Sequence, residues 1–203
     1  WGPDGWLYGR HGIVNTSYPG TPDTPKSERE PINCGIWRFH PETMQLEVLA
    51  RGWVNSWGHH HDRFGQSFVT DGAGGEGINH LVPGAAYVTA VGVPRILRGL
   101  NPGSPKYCGL EILSGTHLPE DWRGDLLTND FRANRVCRFK LTESGSSYQS
   151  KLMPDVIRTK HVAFRPIDIK MGPDGAIYIA DWYTPIIQHG EVDFRDPRRD
   201  HVH

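Results

Sequence analysis

The sequence predicts an all-β fold of the β-propeller type, with about three to four blades represented in its 203 residues. Three observations carry this. One phrase recurs: Gly172-Pro173-Asp174-Gly175-Ala176-Ile177-Tyr178-Ile179-Ala180-Asp181-Trp182 reads as a tight turn feeding a strand, and Gly2-Pro3-Asp4-Gly5-Trp6-Leu7-Tyr8 is nearly the same text. Degenerate copies run over 62–69 and 121–127, and the turn glycines Gly5, Gly65, Gly124 and Gly175 are 60, 59 and 51 residues apart. A repeat of that length, made of strands and turns without sustained 3.6-residue periodicity, fits propeller blades better than a solenoid or helical array. The third observation is composition, since 24 Gly and 16 Pro suit a turn-rich β protein. A single D-x-x-G turn is common in any β protein; four at similar spacing argue for a repeat.

Each copy has a local rationale. Pro173 presets φ, the Asp174 side chain can bond its own backbone, and Gly175 accepts positive φ. Ile177 and Ile179 then point to one face and Tyr178 and Ala180 to the other. Taken in order, the blade pieces are roughly 1–51, 52–106, 107–160 and 161–203 of one partial propeller domain, 1–203. In the first, a Gly-bracketed loop at Arg10-His11 follows Tyr8. Residues 16–31 form a long exposed loop, and strands over 35–39 and 46–49 flank a turn at 40–43 as a hairpin at the blade's outer edge. The second has strands through His59-His60-His61 and Ser67-Phe68-Val69, then a Gly-rich loop over 70–80; residues 87–100 are ambiguous. The third has strands at 110–113, 126–128 and 135–141, with a polar loop over 129–134 and a Ser/Gly turn region over 143–150. The fourth has a strand over 165–170, the repeated turn, and a long loop from Asp181.

Composition excludes some classes. The formal net charge of -1 gives no bulk attraction to nucleic acid or an anionic membrane. Mean hydropathy is -0.51, and no apolar run is long enough to span a bilayer. Cys34, Cys108 and Cys137 form no C-x-x-C or C-x-x-C-H, so no zinc ribbon and no c-type haem attachment lies within these residues. One disulfide would leave a thiol over, and Cys137 reads as a small hydrophobe in a strand. Trp1 sits directly before a turn and Arg198–His203 stop short of a closing strand, so the expectation is an internal piece of a longer chain, for which a missing signal peptide says nothing about compartment.

In a propeller, equivalent loops of successive blades gather at one face. Here those loops hold Arg10-His11, Asp71 to Asn79, Asn129 to Asn134 and Asp181 to Asp193, with Asn55 and Arg165–Asp168 beside the strands that lead each blade. This His, Arg, Asp, Glu and Asn set suits a polyanionic or polyhydroxyl ligand. His59 and His61 share a strand face and could share an ion, with a structural role as the stronger reading. Asp181, His189, Glu191 and Asp193 could form a second polar site or simply pack loops together.

The Gly-Pro-Asp-Gly hairpins, Asn55-x-Trp57-Gly58, Glu76-Gly77-Ile78-Asn79, Trp122-Arg123-Gly124-Asp125-Leu126-Leu127 and Arg165-x-x-Asp168 resemble the soluble quinoprotein glucose, aldose and sorbosone dehydrogenases. Those are six-bladed propellers that use pyrroloquinoline quinone (PQQ) and calcium. Gly35-Ile36-Trp37-Arg38-Phe39-His40-Pro41 and the run from Lys106 to His203 resemble the PVC-type membrane-bound dehydrogenase domain, which often continues into helical repeats and a c-type haem module. The resemblance implies a secreted or periplasmic protein with a sugar-like substrate and a c-type cytochrome module as partner. It places Asn55, Arg132, Arg165 and Asp168 at the cofactor, and Asp71 and Glu76 at calcium. His11 could serve as the base, the plain alternative for a loop histidine being a solvated hydrogen-bonder. The plain alternatives are that Arg132 and Arg165 pair with Asp130 and Asp168, and that Asp71 and Glu76 serve Asx turns. The resemblance also marks departures. Val54 stands where a catalytic Arg is expected, Ile167 replaces a second cofactor-binding basic residue, the acidic partner expected near Arg10-His11 is missing, and the catalytic His would precede Trp1. A dehydrogenase is therefore the first reading, a carbohydrate- or protein-binding propeller the second, and a ligand-free interaction scaffold the third.

Overall fold

The computed structural model describes residues 1–73, 77–87, 99–100, 106–188 and 192–199. The chain divides into two compact units, Trp1–Ser104 and Pro105–His203. In the first, β1 (Leu7–Arg10), β2 (Gly35–His40) and β3 (Gln45–Arg51) form one antiparallel sheet in chain order. The strands β4 (Ser56–His61), β5 (Ser67–Asp71) and β6 (Ile78–Leu81) form a second. In the second unit, β7 (Tyr107–Ile112), β8 (Leu126–Asp130), β9 (Arg135–Ser144) and β10 (Ser147–Leu152) make a meander, with β11 (Ile157–Arg158) also paired to β9. There β12 (Pro166–Met171) pairs with β13 (Ile177–Asp181).

The repeat is literal in the backbone. Gly5, Gly65, Gly124 and Gly175 adopt φ of 80°, 79°, 84° and 79°, a region that costs side-chain-bearing residues energy. In the two near-identical copies the same contacts recur. Asp4 Oδ1 accepts the Trp6 N–H and Asp4 Oδ2 the Tyr8 hydroxyl, while Asp174 does the same for Ala176 and Tyr178. A Cβ on Gly2 or Gly172 would strike the ring of that tyrosine, so the first glycine of the phrase is there to let the ring lie flat. In the second copy Asp62 Oδ1 accepts the Phe64 and Gln66 N–H groups. The third copy departs: residues Glu120–Trp122 form a 3-10 turn, and the Asp121 carboxylate faces Arg138 instead.

The structure adds to the equivalence of the strand-end loops a shared register with the leading strands. Six residues after the turn glycine, Asp71, Asp130 and Asp181 close β5, β8 and β13 and lie opposite the first residue of each sheet's leading strand, namely Ser56, Tyr107 and Pro166. A register shift follows in each leading strand, between Ser56 and His59, Cys108 and Glu111, and Pro166 and Asp168. Bulges of this kind twist a strand and re-aim its side chains, and they concentrate near functional sites.

The cores follow the two-residue alternation. In the first unit Ile36, Leu49, Trp53, Val69, Leu81 and Tyr87 pack together, with Trp53 and Tyr87 stacked at 4.2 Å. In the second, Leu113, Leu127, Val136 and Ile169 pack with Ile177 and Ile179, the face read from the sequence. Each fully buried side chain of this size contributes about 1.5–3 kcal/mol. Cys34, Cys108 and Cys137 are buried free thiols, and burial pushes Cys108 and Cys137 up to about 12. The Ser/Gly stretch over 143–150 differs from expectation. It is the tip of the β9–β10 hairpin, turned at Gly145 with φ 61°. Its strands are largely solvated, so their polar sequence resembles a loop. Of the residues 87–100 only Tyr87, Gly99 and Leu100 lie within the described set.

Candidate functional site

In the first unit the strand-end loops of its two sheets are stitched together. The Ile13 N–H donates to the Val54 carbonyl and Ser56 Oγ to the His11 carbonyl. His11 follows β1 and is half-buried. Its Nδ1 accepts the Trp37 Nε1–H at 3.2 Å, which leaves the neutral-ring proton on Nε2, 2.8 Å from Ser17 Oγ. Both ring nitrogens are thus engaged, and a base role for His11 requires one of these contacts to open. Asn55 has an exposed side chain, and its N–H is held by Asp71. Asp71, buried, accepts three main-chain N–H groups: Val54 on Oδ2 and Asn55 and Ala73 on Oδ1, at 2.9–3.0 Å. It locks the leading strand to the strand-end loop. Glu76 lies outside the described residues.

The second unit builds its rim from the same parts. Asp181 Oδ1 accepts the Arg165 N–H at 2.7 Å and the Tyr183 N–H at 3.0 Å, the counterpart of Asp71 with Asn55 and Ala73. By this correspondence Arg165 is the blade equivalent of Asn55, and Tyr183 that of Arg132. Asp130 instead takes the Arg135 guanidinium at 3.1 Å, with Asp155 on its other side, so it is not the partner of Arg132 or Arg165. Tyr183 stands at φ 48°, which for a bulky residue costs on the order of 1–2 kcal/mol, and its exposed ring stacks on His161 with centroids 6.0 Å apart.

Arg165 is the centre of this rim. It is 8% exposed, and its guanidinium joins two loops. Nη1 donates to the Phe131 and Arg132 carbonyls at 2.9 and 3.1 Å, and Nε to the Thr184 carbonyl at 3.2 Å. Nη2 has no hydrogen-bond partner, and no carboxylate lies within ion-pair distance, among the described residues. Burial pulls the guanidinium below its usual value, with the Asp181 charge partly offsetting it. A fixed, partly desolvated cation with one free edge is a carboxylate-binding element. Arg132 has an exposed side chain and Asp168, three residues beyond Arg165, an exposed carboxylate whose Oδ1 accepts the Ile169 N–H. The Arg165 edge therefore fits an acidic cofactor such as PQQ. Among the described residues, which leave out Glu76, no group of three or more His, Cys, Asp or Glu could hold a metal ion, and Asp71 spends both oxygens on the backbone.

His59 and His61 do share a face of β4. Their rings lie 4.8 Å apart and both pack on Tyr8. His189 and Glu191 fall outside the described residues, and Asp193 caps a local turn through the Arg195 N–H. Sequence reading passed over Glu111, whose only signal was a charge inside an otherwise apolar strand. It put Asn129 at the start of a polar loop, whereas the residue is buried within β8.

Comparison with solved structures bears on the fold. The fold is similar to an oxidoreductase (glucose dehydrogenase) from Thermus thermophilus, with TM-score 0.65 and 23% identity over 88% of this chain and 56% of that one. It is also similar to the soluble aldose sugar dehydrogenase of Escherichia coli, with TM-score 0.59 and 16% identity over 86% and 57%. A third is the PQQ-bound aldose sugar dehydrogenase of Streptomyces coelicolor, with TM-score 0.58 and 16% identity over 96% and 57%. The fold is thus an all-β propeller of the kind found in soluble quinoprotein sugar dehydrogenases, and the chain spans somewhat over half the length of each of these structures. No curated protein matches it. The chain belongs to the family described as "Domain of unknown function (DUF7133)", which matches residues 1–94 and 103–203.

Proposed function

We propose that this domain belongs to a quinoprotein-like dehydrogenase that oxidises a sugar or related polyol or aldehyde within a larger secreted electron-transfer protein. The observation that carries the proposal is the Arg165 guanidinium, pinned by three main-chain carbonyls with Nη2 left to meet an anion. Arg132 lies on the loop that Arg165 grips and would take a second acidic group of PQQ. When bound, the quinone supplies the acceptor for the hydride leaving the substrate carbon. The chain's part is to fix the acidic edge of the cofactor and keep it oriented. Asp168, within β12, and Asn55, directly before β4, are exposed polar residues available to a bound ligand. Asp71 and Glu76 are assigned to calcium by resemblance, with Glu76 the better candidate because Asp71 is already committed to the backbone. A c-type cytochrome module elsewhere in the full protein would receive the electrons. No helix among the described residues is long and apolar enough to cross a membrane.

Titration of the full-length protein with PQQ and calcium, followed by dye-linked oxidation of aldoses, tests this. Arg165→Met should weaken PQQ binding about 10- to 150-fold, the worth of one charged hydrogen bond. Unchanged PQQ affinity in that variant, or no uptake by the wild type, overturns it. Two observations favour a second reading, a propeller that binds a saccharide without turnover: Val54 stands where the resemblance expects an arginine, and both nitrogens of His11 are engaged. Saccharide binding without PQQ uptake would select it.

A further inference from the structure

The second unit contains a polar side chain whose position has no explanation in packing. Asn129, within strand β8, is 0% exposed, and neither its Oδ1 nor its Nδ2 has a hydrogen-bond partner among the described residues. Leaving a buried polar atom unpaired costs about 1–3 kcal/mol, and here one residue leaves two. Leucine, present at Leu126 and Leu127 of the same strand, would avoid that cost.

The surroundings are shaped around this amide. Gly109, at the bulge of β7 with φ 69°, has no side chain, and a Cβ there would lie 2.8 Å from Asp168 Oδ1, 2.9 Å from the Asp168 Cα and 3.0 Å from Asn129 Nδ2, so the glycine lets the β12 backbone approach as well as the two polar atoms. The amide from β8 and the carboxylate from β12 therefore converge on one glycine, where β12 packs across β7 and β8, without forming a hydrogen bond to each other. Thr128 Oγ1 holds the bulge in place by donating to the Gly109 carbonyl at 2.8 Å. Asn129 is buried while Asp168 is exposed, so of the two polar groups at Gly109 one is closed to solvent and one is open to it.

We propose that Gly109, Asn129 and Asp168 form a socket for one hydroxyl oxygen, either an ordered water or a hydroxyl group of a bound polyol. The chemistry selects this guest. A side-chain amide with both atoms free needs a partner that donates and accepts at once, and an O–H oxygen does both. It takes the Nδ2 hydrogen and gives its own to Asn129 Oδ1 or to the carboxylate. A bare cation would serve Oδ1 and leave Nδ2 unpaired. Buried waters in proteins typically make about two to four such bonds, and the polar atoms Oδ1, Nδ2 and Asp168 Oδ1 supply enough partners. The guest ties β8 to β12 across the bulge and so fixes where Asp168 points, whether or not a quinone binds at Arg165.

The test compares thermal melting of the full-length protein and its Asn129→Leu variant, with and without glucose. A filled socket makes the variant melt several degrees lower, because the guest and Asp168 lose their buried partner. Equal or higher melting of the variant means that two orphaned atoms were removed at no loss, and overturns the proposal. If the deficit is the same with and without glucose, the guest is water; if glucose raises the wild-type midpoint and not the variant's, the guest is a sugar hydroxyl. Should the variant fail to fold, a high-resolution crystal structure of the wild type decides. Density within hydrogen-bonding distance of both Asn129 side-chain atoms supports the socket, and none there overturns it.

Discussion

Replacing Arg138 by methionine removes the ion pair that anchors the third hairpin, and its cost can be worked from the contacts. Arg138 Nε donates to Asp125 Oδ2 at 2.6 Å, with side-chain exposures of 7% and 3%. The guanidinium also lies 4.1 Å from the Trp122 ring centroid and reaches the Asp121 carbonyl at 3.2 Å. This hairpin lacks the Asp cap of the other copies, so the buried pair holds the turn that they hold with local side-chain bonds. Burial drives the Asp125 carboxyl upward and Arg138 holds it down, the burial winning. Methionine retains the apolar stem but leaves a desolvated carboxylate behind, and breaking a buried pair from one side costs about 3–5 kcal/mol. For a domain of this size each 1 kcal/mol moves the midpoint by about 2–4 °C, so Arg138→Met should melt about 6–20 °C lower by differential scanning calorimetry. The double variant Arg138→Met/Asp125→Leu should recover most of that loss, because an apolar replacement of both partners is often near neutral. A loss below about 1 kcal/mol in the single variant, or no recovery in the double, would refute the view that the uncompensated charge dominates.

Two further predictions follow from the same physics. Gly5→Ala should cost about 1–2 kcal/mol from its φ of 80° alone, since nothing lies within 4 Å of the added methyl. Gly175→Ala should cost more in chemical denaturation, because there the methyl would also meet the His117 ring, and equal costs would contradict the geometry. Glu111 has its carboxyl raised, chiefly by burial and also by the Asp168 charge, with Lys170 at 3.8 Å opposing. A raised carboxyl favours the folded state fully below the unfolded value near 4.5 and loses that contribution as pH rises through the folded value. Glu111→Gln should therefore flatten the stability profile over that window and gain relative to wild type above it; an unchanged slope in pH-dependent urea unfolding would count against it.

Much of the fold was legible because it is local. A Pro-Asp-Gly turn is specified by the φ of three adjacent residues and by a carboxylate two positions from the N–H it accepts, and both recur in the copies at Asp4 and Asp174. That is why Gly5 and Gly175 could be matched in the sequence and proved to share one conformation. The hairpin at β9–β10 was missed for the complementary reason. A solvated strand pair carries no apolar alternation, and only the cross-strand register shows it.

The site divides along the same line. Sequence by itself determined the repeated hairpin, the alternation that sends Ile177 and Ile179 into a core, and the residue types that collect at strand ends. Tertiary structure alone decided what those residues do. It gave both nitrogens of His11 to Trp37 and Ser17, spent the Asp71 carboxylate on the backbone, paired Asp130 with Arg135, and left Arg165 with an open edge and the Asn129 side-chain amide without a partner among the described residues. The physical reason is that a side chain's chemistry depends on which partners satisfy it, and the deciding ones, Trp37 for His11 and Phe131 for Arg165, lie on other strands and loops.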